Sequence, residues 1–114
     1  MKVCDIVELL HLNVVTGSEK LDREIEYAFA SDLMSDVLTL EKNGILLITG
    51  LSNTQALRTA EMSDIEVVIL GRNKKAGNEM KKLAEESGTI LLESEYSVFR
   101  ISGELYKYGV KPVY

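Results

Sequence analysis

A chain of 114 residues, 46% apolar and 27% charged, has the size and balance of a globular protein that buries a core without metals or disulfides. Its formal charge of −5 argues against broad electrostatic attachment to nucleic acid or anionic lipid, although a local basic spot still suits one small anion. One cysteine and one histidine exclude an internal disulfide and a structural zinc site, so neither metal nor cofactor is expected.

Val3, Ile6, Val7 and Leu10 recur at i, i+3, i+4 and i+7 and predict a short amphipathic helix. The start MKVCDIVELL carries one lysine and then acidic residues, unlike a secretory leader, and runs such as ILLI and VVIL are too short to span a bilayer. With the lone Cys4, this points to the cytoplasm. LNVV (12–15) reads as a strand, closed by the turn-rich TGSEK. REIEYAFA (23–30) alternates, with Ile25, Tyr27 and Phe29 on one side and Glu24, Glu26 and Ala28 on the other, as in a strand with one less buried face.

Ser31 is placed to cap a helix over DLMSDVLTL (32–40), with Asp32 in its first turn and Leu33–Val37 and Met34–Leu38 as its buried pairs. Asn43-Gly44 ends that segment. Strand and helix then alternate through ILLIT, TQALRTAEM, EVVIL, NEMKKLAEE, TILLE and VFRISGELYKY. These strands are continuous apolar runs, the pattern of a parallel sheet covered on both faces, and short connections imply right-handed crossovers. The expected architecture is a single α/β domain over residues 1–114, a mostly parallel sheet of about five strands with helices on both faces.

GRNKKAG (71–77) lies between a strand and a helix, where many proteins hold phosphate. It is not a Walker loop: five residues separate Gly71 from Gly77, Asn78-Glu79 follow, and the lysines fall inside. The dinucleotide fingerprint GxGxxG is also absent. In open α/β sheets, however, ligands sit beyond the carboxyl ends of the strands. The segments emerging there are ASD (30–32), GLSN (50–53), GRN (71–73) and SEYS (94–97), a lining suited to a small polar or phosphorylated ligand. Ser52, Asn53, Ser94 and Ser97 equally suit plain helix caps.

No catalytic constellation emerges. His11 has no serine or cysteine tied to it by motif, and Cys4 reads as a small packing residue on the first helix. Asp32 and Asp36 share a helix face but suit a solvated helix start. Tyr106, Tyr108 and Tyr114 are suited to stacking a base or to a subunit contact.

SDLMSDVL (31–38), LITGLSNTQALRTAEM (47–62) and SVFRISGELYKYG (97–109), in this order and spacing, resemble a DRTGG-domain protein over nearly the whole chain. The pentapeptide that names the family does not occur. The resemblance implies the α/β layers also seen in the N-terminal domain of HPr kinase/phosphorylase. It implies a regulatory or dimer-forming module that occurs alone, beside CBS domains or inside larger enzymes, with no agreed catalytic residues. A serine-kinase activity is not implied, because the phosphate loop of that kinase lies in a separate C-terminal domain.

The expected function is non-catalytic sensing of a small phosphorylated metabolite or adenine nucleotide, in a homodimer. The expected ligand-binding residues are Ser31, Asp32, Gly50, Asn53, Gly71, Arg72 and Ser97. The alternative is a protein-interaction or dimerisation module without a small-molecule ligand, its partner covering the strand EIEYAFA or the C-terminal tyrosines.

Overall fold

The apolar runs Ile45–Thr49 (β3), Val67–Leu70 (β4) and Ile90–Glu93 (β5) form adjacent parallel strands that are buried at every position. They lie at the centre of a computed structural model that describes residues 1–114. The remaining strands are Asn13–Thr16 (β1), Tyr27–Ala30 (β2) and Lys111–Pro112 (β6), and the helices are Val3–Leu10 (α1), Met34–Val37 (α2), Thr54–Met62 (α3), Asn78–Ser87 (α4) and Val98–Lys107 (α5). One six-stranded sheet results, in the order β1-β5-β4-β3-β2-β6. Only β1 is antiparallel to its neighbour, pairing Asn13 with Glu93.

Strand alternation sends side chains to two separate cores. On one face Leu46, Ile48, Val67, Ile69, Ile90 and Leu92 meet Val3, Ile6 and Leu10 of α1 and Ile101 and Leu105 of α5. On the other, Ile45, Leu47, Val68, Leu70 and Leu91 meet α2, α3 and α4 through residues such as Val37, Leu57 and Ala84. Right-handed crossovers between the consecutive strands β2 to β5 place their three linking helices on the same face. The mostly parallel sheet with helices on both faces is the architecture expected from the apolar runs. No helix is long and apolar enough to cross a membrane.

Differences from the expected elements cluster in the first 40 residues. β2 begins only at Tyr27, and Ile25 packs with Val3 and Ile6 while Tyr27 and Phe29 face the other core. The reason is local pairing with the N-terminus: Ile25 donates its N–H to the Met1 carbonyl at 2.8 Å, and Glu24 bridges Lys2. α2 is a single turn capped by Leu33, with Leu33 and Leu38 exposed, so neither expected buried pair forms. Cys4 is exposed and is not a packing residue. The sixth strand, two residues long, is too short to leave a period in the sequence. At Gly17 the backbone is left-handed (φ 84), and a methyl group there would lie 2.8 Å from Ile90 Cγ1 and 2.9 Å from Ile90 Cα.

Candidate functional site

Because β2 to β5 run parallel, the segments after them emerge along one sheet edge. After β4 the chain turns into α4 on one face, whereas after β5 it turns into α5 on the opposite face. The carboxyl ends of β4 and β5 therefore form a topological switch point, the place where open α/β sheets leave a crevice for ligands.

Backbone bonds hold this crevice together. Arg72 and Asn73 are both left-handed (φ 61 and 58). Their N–H groups donate to the carbonyls of Tyr96 at 2.8 Å and Ser94 at 3.0 Å, in the loop after β5. Lys74 donates to Gly71, and Ala76 donates to the carboxylate of Glu93 at 2.7 Å. Most amides of GRNKKAG are thus already paired, and the loop is not an open phosphate cradle. Any anion recognition there falls to side chains.

Asp32 is the organising residue of this edge. Its Oδ1 accepts the Thr49 hydroxyl at 2.9 Å and the Gly50 N–H at 2.7 Å, and its Oδ2 lies 3.7 Å from Arg72 Nη1. A Cβ on Gly50 would sit 3.0 Å from both Cδ and Nη1 of Arg72, so glycine lets the arginine lie flat across the loop. Both charged side chains remain about half exposed, 51% for Asp32 and 54% for Arg72.

Asp32, Gly50 and Arg72 are therefore brought together. Gly71 is buried at the same edge, its Cα close to α5: an added Cβ would be 3.0 Å from Ile101 Cδ1 and 3.4 Å from Val98 Cγ2. Asn53 and Ser97 cap α3 and α5, accepting the N–H groups of Ala56 at 3.2 Å and Arg100 at 3.1 Å. Ser31 accepts the N–H of Leu33 at 3.0 Å and does not cap α2 in the expected way, while Asp32 precedes the helix and reaches back to Gly50.

Other candidate residues do not join the Asp32–Arg72 pair. His11 ends α1 in a left-handed conformation and lines a cavity of about 350 Å³ with Lys75, Glu93 and Glu95. Asp32 follows β2, so three strands lie between it and β1, beside His11. Tyr106 and Tyr108, at the far end of α5, lie toward the opposite sheet edge, and Tyr114 stands 6.0 Å from the Phe29 ring. No group of three or more metal-ligating side chains gathers anywhere.

Two residues at the edge escaped the sequence reading. Glu93 is buried at 6% exposure, with Oε1 accepting the Asn13 carboxamide at 2.8 Å and Oε2 the Ala76 N–H. Its signal was a lone carboxylate closing an apolar strand. Arg100 lies over the Tyr96 ring at 3.7 Å from the centroid, bringing a second guanidinium to the switch point.

No family model and no curated protein matches the sequence. Among solved structures, the chain is similar to the CBS and DRTGG domains of the regulatory region of Clostridium perfringens pyrophosphatase, complexed with its activator diadenosine tetraphosphate. The TM-score is 0.77 at 12% identity, over 98% of this chain. The two share a fold. The match spans 48% of the pyrophosphatase chain, about half of it, and at this identity the likeness is one of architecture. The CBS and DRTGG region is thus a structural parallel for the sheet and its edge, while the residues on that edge are this chain's own.

Proposed function

We propose that residues 1–114 form a DRTGG-type regulatory module that senses an adenine nucleotide or other phosphorylated small molecule at the carboxyl edge of the sheet. It acts as a homodimer and catalyses no reaction of its own. The observation that carries this reading is the Asp32–Arg72 pair across Gly50, next to the switch point between β4 and β5. The similar pyrophosphatase region, regulatory and complexed with diadenosine tetraphosphate, supports the ligand class.

The chemistry follows from hydrogen-bonding capacity. A guanidinium presents a planar fork of donors suited to phosphate, and Arg72 is engaged only by an exposed carboxylate at 3.7 Å. A phosphate replaces that contact while Asp32 keeps its bonds to Thr49 and Gly50. Asn53 and Ser97 use an oxygen as a cap acceptor, which leaves the carboxamide N–H groups and the hydroxyl proton as donors for the ligand. Ser31 and Gly71 frame the site rather than supply charge.

Calorimetric titration of ATP, ADP, AMP and diadenosine tetraphosphate into the wild-type chain and Arg72→Gly tests the reading. Saturable binding of at least one compound, weakened about tenfold or more in the variant, is expected from loss of a charged hydrogen bond. Equal affinity in both proteins would contradict the Arg72 site, and no binding by any of the four would contradict the nucleotide reading.

A further inference from the structure

Helix α5 has a side that the chain leaves uncovered. Ile101 and Leu105 enter the core, whereas Phe99 and Tyr106 keep 87% and 70% of their surface exposed. Ser102 and Gly103 lie between them at helical spacing, so the four residues form one stripe. Beside the stripe, between α5 and the sheet, opens a mainly apolar cavity of about 160 Å³ lined by residues including Ala28, Ala30, Ile48, Ser102, Leu105 and Pro112. The Ser102 hydroxyl oxygen is buried without a hydrogen-bond partner.

Gly103 adds an independent observation. Glycine inside a helix is unfavourable relative to alanine, and its usual compensation is the close approach of another backbone. Within the chain nothing lies within 4 Å of a Cβ built on Gly103. The monomer has no packing use for this glycine.

We propose that this face joins two copies of the chain, α5 packing antiparallel on α5, with Phe99 of each copy seated in the cavity of the other. A two-fold axis near Ser102 and Gly103 sets Phe99 of one copy against Tyr106 of the second, at the rim of the second copy's cavity. An apolar cavity of about 150 Å³ accepts a benzene-sized ring, so the hole fits the aromatic knob presented on the same face. Knob and hole on one patch are what a two-fold interface requires, since each contact is made twice.

The four aromatic side chains alone bury about 600 Å², half of the roughly 1,200 Å² at which specific interfaces begin, and they belong to types that dominate interface energies. The stripe carries no charge, so chains of net charge −5 bring no like charges together at its centre. Addition of a β-strand to the neighbouring edge is disfavoured, because β6 is two residues long and Pro112 has no N–H. The inference shares with the proposed function only the expectation of a homodimer and does not depend on Arg72.

Sedimentation equilibrium over a wide concentration range tests it on the wild-type chain, Phe99→Glu, Gly103→Leu and the control Met62→Glu, whose methionine is 73% exposed on α3. Wild type and the control are expected to approach twice the 12.7 kDa chain mass. Phe99→Glu and Gly103→Leu are expected at the monomer mass with native circular dichroism, the latter because leucine favours the helix and obstructs only the contact. A wild type that stays monomeric throughout, or a dimer that survives both substitutions, overturns the proposal. Titrating the Phe99→Glu monomer with the same nucleotides separates it from the ligand reading, which predicts binding that does not require Phe99.

Discussion

Arg72 Nη1 lies 3.7 Å from Asp32 Oδ2, a pair that links the chain after β4 to the chain after β2 across the end of β3. The two partners contribute unequally to the fold. Asp32 also accepts two short hydrogen bonds, from Thr49 and Gly50, whereas Arg72 gives this edge one long, half-exposed contact. Asp32→Ala is therefore expected to lower stability by about 1–2 kcal/mol and Arg72→Ala by about 0–1 kcal/mol, as read from urea unfolding. An equal loss in both variants would show that the ion pair, not the carboxylate cap, carries the stabilisation.

Glu93 anchors the basic loop from below. Glu93→Ala leaves the Ala76 N–H and the Asn13 carboxamide without their acceptor and is expected to cost about 2–3 kcal/mol. Asn13→Ala, which frees only one carboxylate oxygen, is expected to cost about 1 kcal/mol. Hydrogen exchange at Ala76 should accelerate in the glutamate variant and remain slow in the asparagine variant.

Gly17 and Gly44 separate backbone conformation from crowding. Both have positive φ, but a methyl group on Gly17 meets Ile90 at 2.8 Å, while one on Gly44 has no neighbour closer than 3.6 Å. Gly44→Ala is expected to cost about 1–2 kcal/mol from the left-handed backbone alone. Gly17→Ala adds displacement of β5, for about 2–4 kcal/mol in thermal unfolding.

Gly50→Ala tests the site without dismantling the fold. The new methyl group lies 3.0 Å from Cδ and Nη1 of Arg72, atoms of a flexible side chain that moves aside at little expense. Stability is expected to change by less than about 1 kcal/mol, while nucleotide affinity falls as in Arg72→Gly. Unchanged affinity would detach Arg72 from the ligand.

The second half of the chain was legible because its signals are local. ILLIT, EVVIL and TILLE are uninterrupted apolar strands, and Asn53 and Ser97 cap the helices that follow two of them. The segment 23–40 was misread because its pattern mixes two causes: Ile25 is buried by pairing with the N-terminus, and α2 stops after one turn. Strand-helix alternation identified which loops share an edge. It did not show that Asp32 bonds Gly50 or that Glu93 reaches both Asn13 and Ala76, since those contacts depend on strand order. The uncovered side of α5 was partly visible in Tyr106, but the cavity beside it is formed by β2, β3 and the chain around β6.

Amide NMR of the labelled chain during titration with ATP, ADP, AMP and diadenosine tetraphosphate tests the sensing reading most directly. The account predicts saturable shifts concentrated at residues 50–53, 71–77 and 94–97, Arg72 among them, and at the Asp32 amide. A flat response to all four compounds, or shifts confined to the α5 face around Phe99 and Tyr106, would contradict a nucleotide site on the carboxyl edge.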